Sequence, residues 1–183
     1  MKRFLALLAC LAALVAGAQE RAIRYAVVVP APLDDVWAAW TTTEGIKSFF
    51  APDAKVEARV DGPFEVYMNP FGVPGMKGAD GMRFLAIQDR RMISFTWNAP
   101  PSMPEVRKQR TYVTVRFKPT GEKTTEVTLY HGGWGDGPEW DRAFAYFEKA
   151  WTNVLGSLEE RFAKGPVDWT DWLKRMREMT PVK

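Results

Sequence analysis

Apolar positions along the chain follow three patterns in turn. Residues 4–15 are unbroken apolar, residues 55–131 alternate with period two, and residues 144–162 recur at three- and four-residue spacing. Alternation turns one face of a strand inward, and the three-to-four spacing lays one apolar stripe along a helix. Residues 21–29, RAIRYAVVV, are β-branched and bounded by Pro30, which predicts a strand. Pro32 then pre-sets a helical turn, Asp34 and Asp35 suit its N-terminus, and Leu33, Val36, Trp37 and Trp40 share a face. Thr42 or Thr43 can cap a second short helix, GIKSFF, which stops at Pro52.

Six further strands are predicted at 55–60, 63–68, 81–88, 92–98, 111–118 and 122–131. Asp61-Gly62, Asp89-Arg90-Arg91 and Thr120-Gly121 mark turns between them, the signature of an antiparallel meander. A long helix follows from about Pro138 to Ala163. Asp136 is expected as its cap, with Pro138 in the first turn, Glu139 in capping-box register and Gly165 at the end. Phe144, Phe147, Trp151, Val154, Leu155, Leu158 and Phe162 form its stripe. A lone amphipathic helix after an antiparallel sheet must bury that stripe on the sheet. The expected fold is α+β: a curved seven-stranded antiparallel sheet wrapped round a long C-terminal helix, a helix grip with a partly open interior. In the tail, Trp169, Trp172, Leu173 and Met176 share one face, the spacing of a short docking helix.

The first run changes the picture of where the chain resides. Lys2 and Arg3 precede the apolar stretch and Ala16-Gly17-Ala18 closes it, the layout of a secretory signal cleaved after Ala18. A second reading takes Leu7-Leu8-Ala9-Cys10 as a lipoprotein box with Cys10 lipidated. The expected organisation is a signal over 1–18, one domain over 19–166 and a tail over 167–183, in an exported, periplasmic protein without a stable membrane anchor. Cleavage removes Cys10, the only cysteine, so the mature chain has no disulfide and no thiolate metal site. It also removes two of 25 basic residues, leaving them nearly balanced by 22 acids, and no basic stripe suits nucleic acid.

The stretch NPFGVPGMKGADGM carries glycines at 72, 75, 78 and 81. Collagen needs many such triplets, and a phosphate cradle leads into a helix, whereas a strand follows here. The stretch is therefore a long hairpin loop at the sheet rim. Phe71, Val73 and Met76 in it suit a lid over a cavity mouth; the alternative is a loop packed permanently on the core.

Chemistry is sparse. His131 is the only histidine, at a strand end, and reads either as a ligand-facing acid–base group or as a hydrogen-bonded structural residue. No nucleophile motif is present, and no cofactor or metal site is expected. An enzymatic reading would rest on His131, Tyr67, Glu65 and Arg83. Aromatics are the larger signal, with eight Trp and eleven Phe, and they either fill a core or line a pocket.

The segment VWAAWTTTEGIKSFFAPDAKVEARVDGPFEVYM resembles the N-terminal part of the START-like, or SRPBCC, superfamily. Within it, RMISFTWNAPP, VTVRFKPTGEKTTEVTLYHGGW and WTNVLGSLEERF resemble the branch named for the activator of the heat-shock-protein-90 ATPase. The likeness runs from about Ile23 to Trp169. Phe49-Phe50 stand where that branch has a tryptophan, and the tail past Gly165 is extra. The resemblance implies a small apolar or amphipathic molecule bound between sheet and long helix; the residues expected to line that site are Phe49, Phe50, Met68, Phe71, Met76, Trp97, His131, Trp134 and Trp151. Some members of the superfamily catalyse cyclisations or hydrolyses, which is the alternative function. A co-chaperone role is the third, and export would separate the chain from such an ATPase.

Overall fold

Val27 and Val29 turn inward along β1 (Ile23–Val29) while Val28 between them is exposed, so the β-branched run has one buried face. The structure, a computed structural model, describes residues 20–180; the expected signal and its Cys10 alternative lie outside them. Helix α1 (Leu33–Thr41) buries Val36, Ala39 and Trp40 and keeps Asp34 and Asp35 in its first turn. Thr42 caps α2 (Thr43–Lys47), its hydroxyl accepting the Gly45 N–H at 2.9 Å.

Eight strands follow the sheet path, one more than the alternation predicts. They are β1, β2 (Asp53–Val56), β3 (Phe64–Tyr67), β4 (Gly78–Ala79), β5 (Phe84–Gln88), β6 (Met92–Trp97), β7 (Thr111–Gly121) and β8 (Thr124–Gly132). The extra strand is β4, two residues inside the glycine loop, too short for any period to reveal. A five-stranded antiparallel sheet runs β1-β8-β7-β6-β5, and a three-stranded one runs β2-β3-β4. They meet at the Pro63–Arg83 bridge, where Phe84 N–H donates to Gly62 O at 3.0 Å. A four-residue helix, α3 (Pro104–Arg107), interrupts the connection from β6 to β7.

The long helix α4 (Pro138–Lys164) buries Trp140, Ala143, Phe147, Trp151, Leu155 and Leu158, one stripe laid against the sheet. Asp136 does not cap it. Gly137 occupies the cap position with φ of 112°, a backbone conformation that suits glycine, and Pro138 begins the first turn. Helix α5 (Thr170–Met179) lies beyond Gly165, with no residue fully buried. It is held by its rings: Trp169 Nε1 donates to Lys47 O and Trp172 Nε1 to Met68 O, each at 2.6 Å.

Rings fill the space between sheet and α4. Phe64 stacks on Phe95 with centroids 4.0 Å apart, Trp97 lies 5.4 Å from Trp151, and Phe50 meets Trp151 edge-on at 5.7 Å. Such pairs add about 0.5–1.5 kcal/mol each beyond area burial. One polar chain crosses this interior. Trp151 Nε1 donates to His131 Nδ1 at 2.8 Å, so the other ring nitrogen carries the proton and donates to Thr111 Oγ1 at 2.7 Å. The Thr111 hydroxyl donates onward to Trp97 O at 3.3 Å. The indole nitrogens of Trp40 and Trp97, also buried, have no acceptor among the described residues.

His131 is fully buried, and desolvation holds its imidazole down at about 3. That lies below the ordinary unfolded value of about 6.5, so under pH 6.5 the unfolded chain takes up a proton that the folded one refuses. The His131 contribution is complete above pH 6.5 and falls as pH drops toward 3, with a loss of about 2 kcal/mol by pH 5. Denaturant titrations should show this loss between pH 7 and 5 in the wild type and a nearly flat profile in His131→Gln. Equal slopes in the two proteins would rule out the histidine as its source.

Candidate functional site

The interior opens at one end, where β6 leaves the sheet. A pocket of about 240 Å³ lies there between the glycine loop, the segment after β6 and α4. Trp97 and Phe147 are its buried aromatic members, and Met68, Ala79 and Ala99 extend the apolar wall. At the rim, Met76 is 49% exposed and Tyr146 is 45% exposed, so two large apolar side chains face water. Asn69, Lys77 and Asn98 are among its polar lining residues. Lys77 Nζ stands 5.3 Å over the ring of Tyr67, which alternates with inward-facing Val66 and so lies on the other face of β3. A wider groove of about 680 Å³ on the outer face is lined by Arg91, Arg116 and Lys118, with Arg90 already held by Asp34 and Asp89.

The glycine loop is pinned rather than loose. Asp80 accepts the N–H groups of Gly75 and Gly78 at 3.0 and 2.9 Å. Arg107 reaches across from α3 to Gly75 O, Gly78 O, Asp80 Oδ2 and Ala99 O, at 2.5, 2.9, 3.2 and 2.6 Å. The two side chains are only 10% and 13% exposed, so the guanidinium is nearly desolvated and must be satisfied on every side. Gly78 is required where it stands: its φ is 153°, and a Cβ there would lie 2.5 Å from Val66 O. The tail braces the same region. Asn69 Nδ2 donates to Thr180 Oγ1 at 2.9 Å, and the Arg177 guanidinium stacks 4.5 Å over the Phe71 ring.

Of the residues expected to bind a ligand, Met68, Met76 and Trp97 come together on this pocket. Phe49, Phe50, His131 and Trp151 lie in the core behind it. Trp134 packs against His131 at 4.3 Å and Phe144 at 5.0 Å, and Phe71 faces Arg177 of the tail. The groups weighed for acid–base work are placed elsewhere. Tyr67 donates to Glu65 Oε2 at 2.9 Å, and burial and that carboxylate push its phenol above its ordinary value. Arg83 donates to Asp61 O at 2.6 Å.

Asp80, Asn98, Arg107 and Tyr146 carry the site beyond what the pattern of the chain suggests. Asp80 reads as part of a turn and Tyr146 as the exposed side of a helix. Arg107 sits in a segment with no period, so only its spatial neighbours reveal its task. Among the described residues no three His, Cys, Asp or Glu side chains are grouped to hold a metal, and no helix is long and apolar enough to cross a membrane.

Several solved structures share this architecture. Protein MLL2253 from Mesorhizobium loti matches with a TM-score of 0.64 and 21% identity, over 80% of this chain and 100% of its own. CalU16 from Micromonospora echinospora matches with a TM-score of 0.59 and 20% identity, over 87% and 83%. The Aha1 dimer from Colwellia psychrerythraea matches with a TM-score of 0.60 and 20% identity, over 79% and 98%. At these identities the likeness is one of fold. A search of curated proteins finds no match. A family model does match residues 30–163, from the end of β1 to the last turn of α4. The chain belongs to the family described as activator of Hsp90 ATPase homolog 1-like proteins.

Proposed function

We propose that this domain binds a small apolar or amphipathic molecule in the pocket at the sheet rim, and that it does so in an exported, periplasmic setting. The observation that carries the reading is an apolar pocket of about 240 Å³ whose rim leaves Met76 and Tyr146 half exposed beside buried Trp97 and Phe147. A ligand there would cover those surfaces at about 25 cal/mol per Å² of apolar area removed from water. The volume suits a single ring or short chain, being below the ~300–1,000 Å³ of larger ligand sites. Binding is favoured over catalysis because the pocket is lined by no carboxylate, histidine or cysteine; His131 is sealed behind the aromatic wall. The family description supports a second reading as a co-chaperone of a heat-shock ATPase, which stimulation of such an ATPase by the purified chain would favour.

The glycine loop serves this reading as a fixed wall, clamped by Asp80 and Arg107. The chemistry of residues 2–18 supplies the reason for export.

An apolar fluorescent probe such as anilinonaphthalene sulfonate, or a co-purifying mass lost on denaturation, tests the pocket. Tyr146→Ala and Met76→Ala should weaken binding about threefold to tenfold, each losing some apolar contact area. Both side chains are half exposed, so melting temperature should hardly move. No bound mass and no probe signal would remove the reading. Asp80→Asn leaves the Arg107 guanidinium uncompensated, so amide exchange over residues 75–80 should speed up at least tenfold while β7 and β8 stay protected. Unchanged exchange would mean that the clamp does not hold the loop. The intact mass of protein recovered from the periplasm should correspond to a chain starting at Gln19; a lipid adduct on Cys10 would instead support the lipoprotein alternative.

A further inference from the structure

Asn98 follows directly on the last residue of β6, is only 6% exposed and lines the pocket. Among the described residues its side-chain amide, with two donors and an acceptor, takes part in no hydrogen bond, yet its atoms are not sealed from solvent as the indole nitrogens of Trp40 and Trp97 are. A polar group that reaches solvent through a pocket pairs with water, which a ligand group of matching chemistry can replace. In the neighbouring backbone Ala99 O accepts from Arg107 and Trp97 O accepts from Thr111, while the Trp97 indole nitrogen has no partner among the described residues. The amide is therefore reached through the pocket that Asn98 lines.

We propose that Asn98 is the specificity-determining residue of the pocket and selects small-ring or short-chain ligands carrying one neutral hydroxyl or carboxamide group. This rests on the binding reading given above. A hydroxyl or a carboxamide both donates and accepts, so it matches an amide that offers both. A carboxylate fits less well, because Lys77 Nζ stands over Tyr67 and the Arg107 guanidinium is already engaged by four acceptors. The remaining wall, with Met68, Met76, Trp97, Pro100, Tyr146 and Phe147, suits a flat apolar body.

Toluene and 4-methylphenol have the same ring and differ by one hydroxyl. In a purely apolar pocket toluene binds better, since the phenol gives up hydrogen bonds to water. With Asn98 as partner, NMR titration of the wild-type domain should show 4-methylphenol binding about threefold to tenfold tighter than toluene. In Asn98→Leu the order should reverse, with toluene affinity kept or improved. The Asn98 side-chain amide resonances of the wild type should also shift with 4-methylphenol and not with toluene, a readout independent of whether the variant folds. Equal or stronger binding of toluene to the wild type, with resonances of Tyr146 and Met76 moving, would overturn the role of Asn98 and leave the pocket standing. Binding of neither molecule, with no movement at Tyr146 and Met76, would overturn both.

Discussion

The contact between Trp151 and His131 fixes the long helix to the sheet, and much else in the molecule is placed by it. An aromatic stripe alone can slide or rotate against other rings with small loss, because dispersion has no strong direction. The indole N–H of Trp151 reaching His131 Nδ1 at 2.8 Å removes that freedom. It also sets the tautomer of the ring, so the Thr111 hydroxyl accepts on the far side and donates in turn to Trp97 O. Helix, β8, β7 and the end of β6 are thereby joined through one buried path. The path holds only with a neutral imidazole, because a protonated Nδ1 would turn a hydrogen bond into a clash of two donors.

Behind this path the space beneath the helix is solid. Phe50, Phe64, Phe95, Trp97 and Trp151 meet in tilted, edge-on and stacked pairs that leave the centre to rings. A curved sheet and a straight helix still diverge at one end. There the pocket opens, with Trp97 and Phe147 belonging both to the core and to its wall. The site is thus an edge of the core, and its shape is inherited from the same contacts that stabilise the fold.

The outer wall of the pocket has a different origin. A loop rich in glycine has high conformational entropy when free, and apolar side chains on it would not hold it in place. Instead a nearly desolvated ion pair does so. Arg107 gathers the carbonyls of Gly75, Gly78 and Ala99 with the Asp80 carboxylate, and Asp80 gathers two N–H groups of the same loop. The tail adds Trp172 on Met68 O and Arg177 on Phe71. Polar groups therefore shape the rim, while the pocket-facing surface stays largely apolar.

The periods in the chain determined the element order, the face each element buries and, through the resemblance of the segment 36–68 and its companions, the fold and family. Periodicity reports which side chains leave water, and that is enough for Val27 and Val29 on β1 or Trp151 and Leu155 on α4. It is silent on which buried residues border a void, because core and pocket wall are equally apolar. So Phe49, Phe50 and Trp151 read like Trp97 in sequence and differ only in three dimensions. The cap of α4 at Gly137, the short strand β4 and the clamp of Asp80 with Arg107 were decided by tertiary structure. Each depends on groups distant in sequence meeting at hydrogen-bond range, and no local pattern encodes such a meeting.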